Sequence, residues 1–106
     1  MSDFIRVAET SDIPPGRVKV VVVGDRRIAL CNVDGQFYAI DDVCTHDGGP
    51  LDQGELAGGV IECPRHGARF DVRTGKVLAL PAVKPLNTYP LRVEGSEIRV
   101  ALPQSR

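Results

Sequence analysis

Short runs of β-branched and aliphatic residues alternate with turn residues along this chain, in place of the three-and-four spacing of an amphipathic helix. The runs are Phe4 to Ala8, Val18 to Val23, Arg27 to Val33, Gln36 to Ile40, Val60 to Cys63, Ala68 to Val72, Leu91 to Val93 and Glu97 to Leu102. They predict an all-β protein. Between them stand Pro14-Pro15-Gly16, Gly24-Asp25, Asp34-Gly35, Thr74-Gly75 and Gly95-Ser96, which supply a preset or positive φ at a bend, so successive hairpins are expected. Asp34-Gly35 is the clearest of these, because a type I′ turn takes that pair at its centre.

The alternation breaks down from Asp41 to Gly67, where glycines, prolines and both histidines crowd around one short run at Val60. Irregular chain of that length inside a small domain usually carries function. A second loop, Leu80-Pro81-Ala82-Val83-Lys84-Pro85, is stiffened by its two prolines and precedes the last hairpin.

Length and composition narrow the classes. A chain of 106 residues has room for one compact domain, and 42% hydrophobic and 25% charged residues with a net charge of -1 are ordinary for a soluble globular protein. Aliphatic runs such as Val20 to Val23 fall far short of the roughly 18 residues of a spanning helix. The start Met1-Ser2-Asp3-Phe4 lacks the basic, apolar character of a signal peptide, so a cytoplasmic protein with no membrane partner is expected. A pI of about 6.1 gives no general attraction to phosphate backbones, and nucleic acid is not an expected partner. Charge is nevertheless uneven: residues 1–53 hold nine acids and five bases, residues 54–106 five acids and eight bases. Three cysteines cannot all pair with one another, which leaves reduced thiols or metal-bound thiolates.

Two boxes carry the candidate chemistry. Cys44-Thr45-His46 and Cys63-Pro64-Arg65-His66 each join a soft thiolate to an imidazole, are separated by the 16 residues from Asp47 to Glu62, and use both histidines of the chain. Isolated cysteines are more often buried small hydrophobes than ligands, and Cys31, inside the apolar run Ile28 to Val33, fits that description. Cys44 and Cys63 stand instead at the mouths of polar, glycine-rich loops. A tetrahedral zinc would accept two sulfurs and two nitrogens, but structural zinc sites usually space their ligands in like pairs. Mixed boxes suit two irons held side by side, as in a Rieske 2Fe-2S centre with both cysteines on one iron and both histidines on the other.

C-T-H-x-G at Cys44 to Gly48 and C-P-x-H-G-A-x-F-D at Cys63 to Asp71 resemble the paired signature of Rieske iron-sulfur proteins. The likeness extends over most of the chain. It implies an antiparallel β-sandwich base with a small cluster-binding subdomain at approximately 41–82, within one domain over 1–106. It further implies Cys44 and Cys63 on the buried iron, His46 and His66 on the outer iron at the protein surface, and Pro81 to Pro85 as a loop covering the cluster.

High-potential members of that family carry an extra cysteine in each box, paired as a disulfide, and a serine and a tyrosine that donate to cluster sulfurs. The matching positions here are Gly49, Arg65, Ala68 and Phe70. Without those hydroxyls the reduced cluster is less stabilised, leaving backbone N–H donation from loops containing Gly48, Gly49 and Gly67. A potential at the low end, roughly -100 to -150 mV, is therefore expected. Loop rigidity would have to come from Pro50, Pro64 and Pro81.

Nothing else in the sequence offers chemistry. No flavin or nicotinamide fingerprint is present, and no facial triad of two further histidines and a carboxylate can be assembled, so an electron carrier rather than an enzyme is expected. The resemblance implies a flavin-dependent NAD(P)H reductase as donor and, as acceptor, the terminal oxygenase of an aromatic ring-hydroxylating dioxygenase system, met by a monomer in transient docking. Asp41, Asp42, Asp47 and Asp52 surround the first box and read either as an acidic docking face or as solvated residues that cap turns. Rival readings are the small subunit of an assimilatory NADH-nitrite reductase, a structural zinc module and, less well supported without a C-x-x-C, a thiol sensor.

Overall fold

The computed structural model describes residues 4–43, 51, 54–64, 67–80 and 84–102. Its strands run in chain order as β1 (Phe4–Glu9), β2 (Val18–Val23), β3 (Arg26–Val33), β4 (Gln36–Asp41), β5 (Leu56–Ala57) and β6 (Val60–Glu62), followed by β7 (Arg69–Asp71), β8 (Val77–Ala79), β9 (Thr88–Tyr89), β10 (Leu91–Glu94) and β11 (Glu97–Ala101). A 3-10 turn, Thr10–Asp12, follows β1. The described chain is all-β, as its periodicity predicts. Three short strands, β5, β8 and β9, were not anticipated, and the runs at Val60 and Ala68 give shorter strands because Cys63 and Ala68 belong to a turn.

Among the described residues all pairings are antiparallel, in three sheets ordered β1-β11-β10, β2-β3-β4-β9 and β5-β6-β7-β8. The middle sheet is covered on both faces. Ile28 and Leu30 of β3 and Ala39 of β4 pack with Ala8, Ile98 and Val100 of the β1-β11-β10 sheet. From the opposite face of β3 and β4, Ala29, Cys31, Val33 and Ile40 pack with Ile61, Cys63, Phe70 and Val72 of the third sheet and its loops. Burial on both faces explains why β3 reads as a near-continuous apolar run instead of a strict alternation.

Local chemistry sets the hairpins. Asp34 and Gly35 both have positive φ, 52° and 92°, as a type I′ turn requires, and the buried Asn32 side chain accepts the Gly35 N–H at 2.8 Å. That turn fixes the β3–β4 register from Val33↔Gln36 to Ile28↔Asp41. Consequently β4 delivers its last residue, Asp41, to the edge of the segment that carries the first box.

Candidate metal centre

The second box is built on β6 and β7. β6 leads directly into Cys63, whose N–H donates to the Ala68 carbonyl at 2.7 Å, while the Gly67 N–H donates back to the Cys63 carbonyl at 3.1 Å. Gly67 has φ of 80°, a conformation that side chains disfavour, and this lets the chain reverse within five residues. The ends of the two strands are joined by a cross-strand ion pair, Arg69 Nε to Glu62 Oε1 at 3.4 Å, both side chains being partly solvated. Cys63 itself is buried, 1% exposed, and lies in one apolar cluster with Ala68 and Phe70. In the loop containing Gly67, from which backbone donation to the metal site is expected, the Gly67 N–H itself is spent on the turn.

The approach to the first box is pinned by two consecutive aspartates. The Asp41 carboxylate accepts the Asn87 side-chain amide at 2.9 Å and the Tyr89 hydroxyl, and the Asp41 N–H donates to the Asn87 carbonyl at 3.0 Å. Arg26 Nη1 donates to the same hydroxyl at 3.1 Å. Asp42 is 1% exposed; its Oδ1 accepts the Leu51 N–H at 2.8 Å and its Oδ2 the Arg27 Nη2 at 3.0 Å. Asp42 therefore lies inside the protein, which corrects its place on an acidic docking face. Asp41 is likewise engaged by β9 and the chain before it. Asp47 and Asp52 lie outside the described residues.

Leaving the first box, the chain is held against the second. Leu51 is fully buried in the same apolar cluster as Cys63, and its carbonyl accepts the Gly54 N–H at 2.8 Å. Gly54 is pressed on the Glu62 carbonyl so closely that a Cβ would collide with it, and Glu62 N–H donates to the Glu55 carbonyl at 3.0 Å. The roots of both boxes thus meet at the start of the Cys63 turn. A third segment arrives there too: Leu86, in the same cluster, donates its N–H to the Gly75 carbonyl at 2.8 Å, and its own carbonyl blocks any side chain at Gly75. It closes the exit of the proline loop. Pro64 and Pro85 are exposed, whereas Pro50 and Pro81 lie outside the described residues.

Of the four expected ligands, Cys63 is the one described; Cys44, His46 and His66 lie outside the described residues. Among the described residues no group of three or more His, Cys, Asp or Glu is placed to hold a metal ion. Cys63 nevertheless suits an iron-sulfur ligand. It is a free thiol at the root of a tight turn, walled by apolar side chains in which neither Ala68 nor Phe70 carries a hydroxyl. Soft thiolates of this kind select iron-sulfur clusters. Cys31 behaves as the sequence predicts. It is fully buried, and burial first, with the nearby Asp42 charge second, pushes its thiol up to about 12, so it stays protonated and inert.

Sequence reasoning missed the work of Asp42 and Gly54. Acidic residues flank the first box on both sides, and no sequence signal separates the buried carboxylate from its neighbours. Gly54, one of many glycines in an irregular stretch, gave no sign of a close backbone approach.

Comparison with known proteins accords with this geometry. The profile of the Rieske 2Fe-2S domain matches residues 3–90. The ferredoxin component of naphthalene 1,2-dioxygenase/salicylate 5-hydroxylase systems from Ralstonia sp is 42% identical over 100 residues, 94% of this chain and 96% of that protein. A solved chain from the complex of reduced oxygenase and oxidized ferredoxin in carbazole 1,9a-dioxygenase is 40% identical, with a TM-score of 0.87 and 92% of each chain covered. A putative NADH-dependent nitrite reductase small subunit from Mycobacterium tuberculosis, 24% identical with a TM-score of 0.87 and 99% of each chain covered, shares the fold. With the family match spanning most of the chain and a buried thiol at the root of the second box, the chain belongs to the Rieske 2Fe-2S domain family, as an electron-transferring ferredoxin component with one Rieske-type cluster.

Proposed function

We propose that this protein takes single electrons from a flavin-dependent NAD(P)H reductase and delivers them to the terminal oxygenase of an aromatic ring-hydroxylating system, in the cytoplasm and as a monomer. The ligands are Cys44 and Cys63 on the buried iron and His46 and His66 on the outer one. The observation that carries this reading is the meeting of Leu51, Gly54 and Glu62 at the Cys63 turn, because it brings the roots of the two boxes to one place. The oxygenase as acceptor is supported by the ferredoxin of the carbazole 1,9a-dioxygenase complex, and the reductase by the multicomponent systems from which relatives are named. The chain acts as one Rieske domain over 1–106, with the cluster-binding part at about 41–82.

When bound, the cluster supplies a one-electron couple, raised above that of four-cysteine ferredoxins because neutral imidazoles replace two thiolates. The protein's part is to hold the ligands, keep water from the buried side and present the histidine edge. Ile61, Phe70, Val72 and Leu86 form the dry side. No helix of the described residues is long and apolar enough to cross a membrane.

Anaerobically purified protein should contain two irons and two acid-labile sulfides and show a two-histidine Rieske spectrum. Replacing His46 or His66 by alanine should abolish that spectrum, and a variant that keeps it would overturn the ligand assignment. A nitrite reductase small subunit would instead be found bound in a large enzyme, which gel filtration of the native complex separates from a free carrier.

A further inference from the structure

A carboxylate removed from water is tolerated only where hydrogen bonds and an opposite charge answer it. Asp42 is such a group, and both answers are present. One oxygen takes the Leu51 N–H at 2.8 Å, across nine residues of chain, and the other takes the Arg27 guanidinium at 3.0 Å. The Asp42 N–H also donates to the Arg27 carbonyl at 3.0 Å, so backbone and side chain of Arg27 grip the same residue. Arg27 is available for this because the β3–β4 register sets Ile28 opposite Asp41, leaving Arg27 beside Asp42. Leu51 is fully buried against the core that holds Cys63.

We propose that Asp42 is a positioning residue for the cluster. It ties together the two ends of the segment 43–50, which carries Cys44 and His46, and Arg27 orients its carboxylate for that task. This rests on the reading of Cys44 and His46 as ligands. A neutral acceptor would bond Leu51 more weakly and would turn an N–H toward Arg27, so the ionised carboxylate fits both partners better than an amide. Asp42 stands two residues before Cys44 in the chain, and a carboxylate near an iron centre opposes the arrival of an electron, while the Arg27 guanidinium favours it.

The test uses the cluster-loaded protein and its Asp42→Ala, Asp42→Asn and Arg27→Gln variants, followed by hydrogen–deuterium exchange of a peptide covering 43–54 and by potentiometry. Asp42→Ala should speed exchange in that peptide by about tenfold or more, with β10 and β11 unchanged, since a bond to a charged group is lost. Asp42→Asn should recover part of the protection, raise the potential and hold its cluster longer than the alanine variant. Arg27→Gln should lower the potential. Exchange within about twofold of the parent protein in Asp42→Ala would overturn the proposal. So would an unchanged or lowered potential in Asp42→Asn, which remains decisive if the alanine variant does not fold. Failure of the ligand reading is separate: it appears as a missing two-histidine spectrum in the parent protein, whatever the variants do.

Discussion

Gly54 rests on the carbonyl of Glu62, with no room between them for a side chain. The contact joins the exit of one box to the last residue before the other. Gly54→Ala must push backbone against backbone, so it should cost at least about 2 kcal/mol. It should also lower the iron content of freshly purified protein, measured beside the thermal midpoint. A fully loaded variant with the parent midpoint would show that the two roots are not held by this approach.

The fully buried Ala68 and Phe70 leave the Cys63 turn without a hydroxyl donor. Ala68→Ser and Phe70→Tyr should each raise the reduction potential from its expected low value. A hydrogen bond that favours the reduced state by about 1 kcal/mol is worth roughly 40 mV for one electron. Protein-film voltammetry of the single and double variants measures this, and two variants with the parent potential would remove hydroxyl donation as the reason for the low value.

Cys31 makes alkaline stability depend on pH. Its thiol holds its proton to about 12 in the folded protein, against 9.0 for an exposed thiol, so from pH 9 upward the unfolded chain binds fewer protons than the folded one. Stability should be unaffected by this group below pH 9 and should fall as pH rises toward 12, by at most about 1.4 kcal/mol per pH unit. Tyr89, pushed up by burial and by its bond to Asp41, adds to the fall in the same direction. Cys31→Ala should flatten the part that begins at pH 9 and leave the cluster spectrum intact, as urea melts across that range would record.

Tyr89→Phe removes the hydroxyl shared by Asp41 and Arg26 and leaves the carboxylate with Asn87. A loss of about 1–2 kcal/mol is expected, or roughly 4–8 °C in the thermal midpoint for each kcal/mol. Calorimetry of the loaded protein checks it.

Much of this was legible in the sequence because it is written locally. The Asp34-Gly35 turn needs only two residues to declare itself, and β3 declares itself by an apolar run too long for a loop. The two boxes are legible because each needs adjacent residues of rare types. What escaped depends on distant partners. β5 and β9 are two residues long and β8 three, too short for any alternation, and they become strands through β6, β4 and β7. Asp42 looks like its neighbours until Arg27 and Leu51 are brought to it by the β3–β4 hairpin and the apolar cluster.

The middle sheet forms the shared wall of both apolar interiors, with alternate residues of β3 turned to each. The strands that line one interior also line the other, so loss of packing on one side should weaken the other. Heating should therefore bleach the iron chromophore and collapse the base in a single cooperative event. A carrier that must survive repeated encounters gains from this arrangement, because any loosening of the base is felt at once by the wall behind the loaded tip.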